Sequence, residues 1–249
     1  MFIHPGDSHQ HSLETLNQLF EYDDFMMSIR TMVDLGCGAG DDLVWWATRT
    51  TRDDNPEPLN IKCTGVDMLE NLPVAHNHEN IVFQRTNFEI AIHPPKEGFD
   101  VLWCHDSFQY ARNPLQTLSN WWHIASPGGM LAITIPITQQ IHRRQLSYIL
   151  PSGCYYHHTM VSLMYMLATA GWDCGSGFFK QTPADDWLYA IVYKSEHPPQ
   201  DPITTDWHTL SALNLLPDSA KKSVYAHSAL RQQDLVVPWV DHSLLSMAV

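Results

Sequence analysis

Basic side chains are scarce in this chain. Lysine and arginine total 14 against 27 aspartates and glutamates, a formal net charge of −13 over 249 residues. A surface this acidic repels phosphate, which argues against general binding of nucleic acid or of an anionic membrane. The only adjacent basic pairs are Arg143-Arg144 and Lys221-Lys222. Apolar runs are short as well: none approaches the roughly 18 residues that a membrane-spanning helix needs. Five cysteines (Cys37, Cys63, Cys104, Cys154 and Cys174) include no C-x-x-C pair, so they read as reduced, mostly buried thiols. Residues 1–7 lack a basic stretch followed by an apolar one, so no signal peptide is expected and the cytoplasm is the expected compartment. What is present, 44% apolar and 16% charged residues, is a globular composition.

The pattern along the chain alternates. Residues 1–11 are polar and His-rich and are expected to be loop. Leu13, Leu16, Leu19, Phe20, Phe25, Met26 and Ile29 then predict one or two amphipathic helices over 12–30, with Ser12 as N-cap. Short apolar strands are predicted at 31–35, 61–66, 80–84, 99–104 and 130–135. Helices are predicted at 41–49 and 114–124 between them. Strands apolar throughout their length, spaced by helices, imply a parallel sheet covered on both faces. Further on, the spacing predicts helices over 139–150 and 159–170, the second ending at Gly171. Strands at 172–181 and 187–194 are joined too tightly for a helical crossover, so they are antiparallel neighbours. The pairs Trp45-Trp46 and Trp121-Trp122 are each expected to place one indole in the core and one near the surface. After Pro198-Pro199 and Pro202 the patterning weakens, though Trp207, Trp239 and 235–237 imply that the tail is packed.

The chemistry concentrates in Val33-Asp34-Leu35-Gly36-Cys37-Gly38-Ala39-Gly40. Strand, glycine turn and helix in this order form a nucleotide-binding first unit, because the turn is tight and the ligand lies on bare backbone. A dinucleotide fingerprint needs G-x-G-x-x-G. Here the third position is Asp41, a carboxylate where pyrophosphate should sit, which disfavours nicotinamide and flavin cofactors. The observed G-x-G-x-G with Asp34 two residues ahead resembles the first motif of class I S-adenosylmethionine-dependent methyltransferases. Gly65-Val66-Asp67, Thr86-Asn87-Phe88, Phe99-Asp100-Val101-Leu102, Ser126-Pro127-Gly128-Gly129 and Ala168–Trp172 resemble later motifs of that family in the same order. The resemblance covers about residues 30–194 and is nearest to the small-molecule group called type 11.

The resemblance implies an α/β, doubly wound Rossmann-like sheet of seven mostly parallel strands with an antiparallel last strand pair. It implies a helical cap at 1–30, a methyltransferase domain at 31–194 and a C-terminal extension at 195–249. S-adenosylmethionine would be the cofactor and S-adenosylhomocysteine the product. Carried over position by position, the cofactor residues are Asp34, Gly36, Cys37, Gly38, Gly40, Asp67, Met68, Asn87, Phe88, Cys104 and His105. Asp67 would hold the ribose hydroxyls, and Asn87, where the family usually has aspartate, would meet the adenine. Departures are that asparagine and a long loop before Asp67. The acceptor pocket would lie beyond strands four and five, with Tyr22, Asp106, Tyr110, Tyr156 and His157 as candidates.

Methyl transfer is an in-line displacement that mainly needs alignment and exclusion of water. His105 is the candidate base, since imidazole titrates near neutrality; the competing reading is that it only packs against the cofactor. His9-x-His11 and His76-x-His78 have no third ligand at a recognisable spacing, so no metal site is expected. The favoured substrate is a small molecule, without nucleic acid or membrane, and a homodimer is left open. The alternatives are a protein or nucleic-acid methyltransferase and an inactive cofactor-binding module.

Overall fold

The computed structural model describes residues 5–20, 27–51, 56–69, 78–90, 92–136, 156, 158–182 and 185–220. A single seven-stranded sheet organises them, in the order β3-β2-β1-β4-β5-β7-β6. Its strands are β1 (Thr31–Leu35), β2 (Lys62–Asp67), β3 (Ile81–Arg85), β4 (Phe99–His105), β5 (Ala125–Pro136), β6 (Trp172–Thr182) and β7 (Asp185–Lys194). β1 to β5 run parallel, and β7 is antiparallel to both β5 and β6. The order reverses between β1 and β4, which opens a crevice at the carboxyl ends of those two strands.

Helices α1 (Pro5–Phe20), α2 (Asp41–Ala47), α3 (Pro114–Ile124), α4 (Met160–Thr169) and α5 (Trp207–Ala212) cover the sheet. Local chemistry explains several of their ends. Asn113 caps α3 through the Gln116 amide, with Pro114 in the first turn. Thr159 and Ser162 close a reciprocal capping box on α4. Gly171 follows α4 at φ +87°, and a Cβ there would lie 2.6 Å from the His197 carbonyl oxygen, so only glycine fits.

Two apolar layers pack on the two faces. One gathers Leu102, Cys104, Phe108, Trp121, Leu163 and Trp172 under α3 and α4. The other gathers Leu16, Met32, Trp45, Trp46, Val101 and Trp103 under α1 and α2. Leu210, Leu215, Leu216 and Ala220 join the first layer, and the Cys174 amide donates to the Leu215 carbonyl at 3.1 Å. Residues 195–220 are thus tied to the sheet's α4 side.

Two expectations are corrected. α1 begins at Pro5, so residues 5–11 are helix rather than loop, and Ser12 is an interior, buried residue rather than an N-cap. Its first turns lack apolar residues at helical spacing, which hid the helix, and His11 among them meets His105 instead of an apolar core. Both Trp45 and Trp46 are buried, at 8% and 0% exposure, rather than one of the two. The cause is α1, which lies over α2 and accepts the Trp45 indole N–H on Asn17 Oδ1 at 2.9 Å. The helix expected at 139–150, together with Tyr22, His157 and Trp239, lies outside the described residues.

Candidate active site

The glycine turn after β1 is built by backbone alone. Gly36, Gly38 and Gly40 have φ of +88°, +51° and +83°. The Gly36 and Cys37 amides both donate to the Val66 carbonyl, at 2.8 and 3.1 Å, which ties the turn to the end of β2. A Cβ on Gly36 would sit 2.4 Å from Ser107 Cβ, whereas one on Gly38 would meet nothing within 4 Å. Gly36 is therefore fixed by packing, and Gly38 leaves bare backbone open for a ligand. Ser107 clamps the crevice from below, donating to the Leu35 carbonyl at 2.6 Å. Gly40 caps α2 in the left-handed region, and Asp41 and Asp42 fill the first helical turn, where negative charge is favoured.

Above this turn lies a cavity of about 230 Å³. Asp34, Asp41, Asp42 and Asp106 line it, with His105, Ser12 and the glycine turn, and among the described residues no lysine or arginine does. Asp34 is 3% exposed. Burial drives its carboxyl well above the usual range, and the charges of Asp42 and Asp67 push it further. Such a group calls for a positive partner. Asp42 accepts from the Ser12 hydroxyl and, at 2.8 Å, from the Trp103 indole N–H. Asp67 spans the turn, taking the Gly38 amide at 2.9 Å on one oxygen and the Leu69 amide at 3.0 Å on the other. Each oxygen keeps a lone pair for a further donor.

His105 ends β4 at 9% exposure. Burial, with His11 nearby, lowers its pKa to about 3, so the ring is neutral at ordinary pH. Its Nε2 lies 2.8 Å from His11 Nδ1, and His11 Nε2 lies 2.7 Å from the Tyr189 hydroxyl.

The structure brings together Asp34, Gly36, Cys37, Gly38, His105 and Asp106 around the cavity. It places others apart. Asn87 holds a local turn, accepting the Glu89 amide at 2.8 Å and donating to its carboxylate. Phe88 packs its ring against Trp121. Met68 is 65% exposed. Cys104 is enclosed in the core beside Ser107, and burial pushes its thiol up to about 12. Tyr110 is exposed, and the Tyr156 hydroxyl donates to the Arg112 carbonyl at 3.1 Å, outside the cavity lining. Sequence reasoning missed Ser12, His11, Asp42 and Tyr189. Asp42 carried a signal in its place on the first turn of α2; the other three carried none.

An acidic, cation-seeking pocket over open glycine backbone fits a phosphate-free, positively charged nucleoside cofactor. Residues 33–131 match the methyltransferase-domain family. That stretch of the chain resembles a methyltransferase domain, and the seven-stranded sheet around it has the matching fold. No curated protein sequence matches it. Among solved structures, the chain is similar to a protein assigned as a methyltransferase from Haloferax volcanii, in complex with the Trm112 activator. That match has 18% identity and TM-score 0.58, covering 77% of this chain and 92% of that one. It is also similar to the 1,6-didemethyltoxoflavin-N1-methyltransferase of Burkholderia thailandensis, with S-adenosylhomocysteine and 1,6-didemethyltoxoflavin bound. There the identity is 14% and the TM-score 0.52, over 76% of this chain and 79% of that one. A third is the N-methyltransferase NodS of Bradyrhizobium japonicum with S-adenosylhomocysteine, at 14% identity and TM-score 0.50, covering 78% and 90%. At these identities the likeness is one of fold. Among the described residues no helix is long and apolar enough to cross a membrane.

Proposed function

We propose that this chain is an S-adenosylmethionine-dependent methyltransferase acting on a small molecule that enters above the glycine turn, next to His105 and Asp106. The observation that carries this reading is the cavity of about 230 Å³ that Ser12 of α1, the glycine turn and the end of β4 line. A pocket of this size suits a small ligand, not a polymer strand. The toxoflavin enzyme, which shares the fold and holds 1,6-didemethyltoxoflavin, is consistent with it.

The cofactor supplies a methyl group on a positive sulfur, which keeps the electron pair of the breaking S–C bond. The residues divide the remaining work. The Asp34 carboxylate favours the cofactor's ammonium and sulfonium charges, and in their presence it is held ionised. Asp67 offers its spare lone pairs to the ribose hydroxyls. Gly38 lets the ligand approach the backbone. α1, pinned through Ser12 to Asp42, keeps water from the reacting atoms, which strengthens every charge interaction inside. His105 presents an uncharged imidazole to the acceptor.

A label-transfer experiment tests the proposal. The protein is incubated with methyl-labelled S-adenosylmethionine and a whole-cell extract, and the products are divided by ultrafiltration. Label is expected in the small-molecule fraction. Label retained with protein or nucleic acid would overturn the acceptor class, and cofactor bound without any transfer would favour an inactive module.

A further inference from the structure

The register of the sheet puts three residues in one row: His105 on β4 pairs with Thr134 on β5, and Thr134 pairs with Tyr189 on β7. His105 and Tyr189 are two strands apart, about 10 Å at ordinary strand spacing, too far to touch directly. Thr134 between them is small and buried. His11 comes down from α1 into that gap and bonds both, at 2.8 Å to His105 and 2.7 Å to Tyr189. Indoles hold the rings. His11 stacks on Trp187 at 4.4 Å between centroids and 16° between planes, and His105 lies parallel to Trp103 at 6.1 Å and 13°. His105 spends only Nε2 on this chain, and the residue lines the cavity.

We propose that His105, His11 and Tyr189 form a proton wire that receives the acceptor's proton at His105 Nδ1 during methyl transfer. The wire rests on the methyl-transfer reading above and extends it to acceptors that carry a removable X–H proton. His105 is then a catalytic residue, and His11 and Tyr189 are positioning residues that act through it.

The atoms balance as follows. The acceptor's X–H electron pair becomes available to the new bond to the methyl carbon, and the proton passes to His105 Nδ1. The Nε2–H proton of His105 moves to His11 Nδ1, the Nε2–H proton of His11 moves to the Tyr189 oxygen, and the phenolic proton leaves to water. No ring carries net charge at the end, so the burial that opposes an imidazolium at His105 does not oppose the transfer. Both rings finish in the other tautomer. They reset when product leaves: water in the opened cavity takes the Nδ1 proton, and Tyr189 regains one from outside. The wire needs one starting arrangement, with both imidazoles protonated on Nε2. In the reverse arrangement His105 Nδ1 bears a proton and can only donate to the cavity.

Nitrogen NMR of the full chain, made with heavy-nitrogen histidine, reads this directly. At about pH 8 an ordinary imidazole is neutral, and its two nitrogens report which one carries the proton. His11→Gln and His105→Gln each delete one ring's signals and assign them. The proposal expects the proton on Nε2 in both rings, and Tyr189→Phe should shift the nitrogen signals of both His11 and His105. A proton on Nδ1 of His105 would overturn the wire, and so would a Tyr189→Phe shift confined to His11. Should Tyr189→Phe fail to fold, the tautomer of His105 in the unaltered protein decides alone. Failure of the methyl-transfer reading would appear in the label-transfer experiment and would leave these tautomers unchanged.

Discussion

Asp34 and His105 face the same cavity and respond oppositely to pH. The unfolded Asp34 ionises near the ordinary 3.8, whereas the folded carboxyl keeps its proton to higher pH because it is buried beside Asp42 and Asp67. As pH rises from 3.8, the folded state therefore binds more protons than the unfolded one, and the protein without cofactor loses stability. Asp34→Asn removes that loss. It is expected to stabilise the cofactor-free protein by roughly 0.5–2 kcal/mol near neutral pH while weakening S-adenosylhomocysteine binding, the trade seen where a site stores unfavourable charge. Urea denaturation and titration calorimetry check the two halves, and a less stable cofactor-free variant would refute the account. For His105 the sign reverses. Unfolded imidazole takes a proton below about 6.5, but the folded ring resists to about 3. Its contribution is intact above about pH 6.5 and is lost as pH falls through that window. His105→Asn should flatten the acid limb of the stability curve between those values, measured by urea midpoints at a series of pH values. The sequence disclosed Asp34 because its place before the glycines is a local pattern. It did not disclose the partner of His105, because His11 and Tyr189 lie 94 and 178 positions from the residues they meet, and no local spacing encodes such a meeting.

At the scale of elements, the central parallel strands β1, β4 and β5 were readable because they are buried on both faces and hence largely apolar along their length. Leu35, Val66, Leu102 and Ile133 are all between 0% and 1% exposed. α1 was readable only in part. Leu13 and Leu16 stand at helical spacing, but the residues before them are polar and carry no apolar period. Side-chain hydrogen bonds tie α1 down: Ser12 to Asp42, His11 to His105, and the Trp45 indole to Asn17. Leu16 is its fully buried apolar anchor. Leu16→Ala, a change costing about 2–5 kcal/mol in a core, should release α1 before the sheet. Hydrogen exchange is expected to rise over residues 10–17 while β4 and β5 stay protected, because an edge element opens locally at less cost than the whole fold. Equal loss of protection in α1 and β4 would mean that α1 is part of the cooperative core and cannot act as a cover.

At the scale of the whole molecule, the deficit of basic residues and the shape of the crevice are one choice of ligand. The net charge of −13 surrounds a cavity whose charged lining is acidic among the described residues, placed where the strand order reverses between β1 and β4. A dinucleotide would bring a pyrophosphate to this turn and face Asp41 and Asp42, with no lysine or arginine among the described lining residues to offset them. S-adenosylhomocysteine brings an ammonium, two ribose hydroxyls and no phosphate. Ligand present at about 100 times its dissociation constant stabilises the folded state by about 2.7 kcal/mol. For a chain of this length that corresponds to a rise in melting temperature of roughly 5–10 °C. S-adenosylhomocysteine is therefore expected to raise the melting temperature by this amount at saturation, and NAD at the same concentration to leave it unchanged. Asp67→Ala should remove most of the S-adenosylhomocysteine effect, since hydrogen bonds to a charged acceptor are worth about 1.5–3 kcal/mol and the Gly38 amide loses its anchor as well. A melting temperature raised by NAD but not by S-adenosylhomocysteine would mean that the acidic turn is compensated from elsewhere in the chain, and that charge at this crevice does not select the ligand.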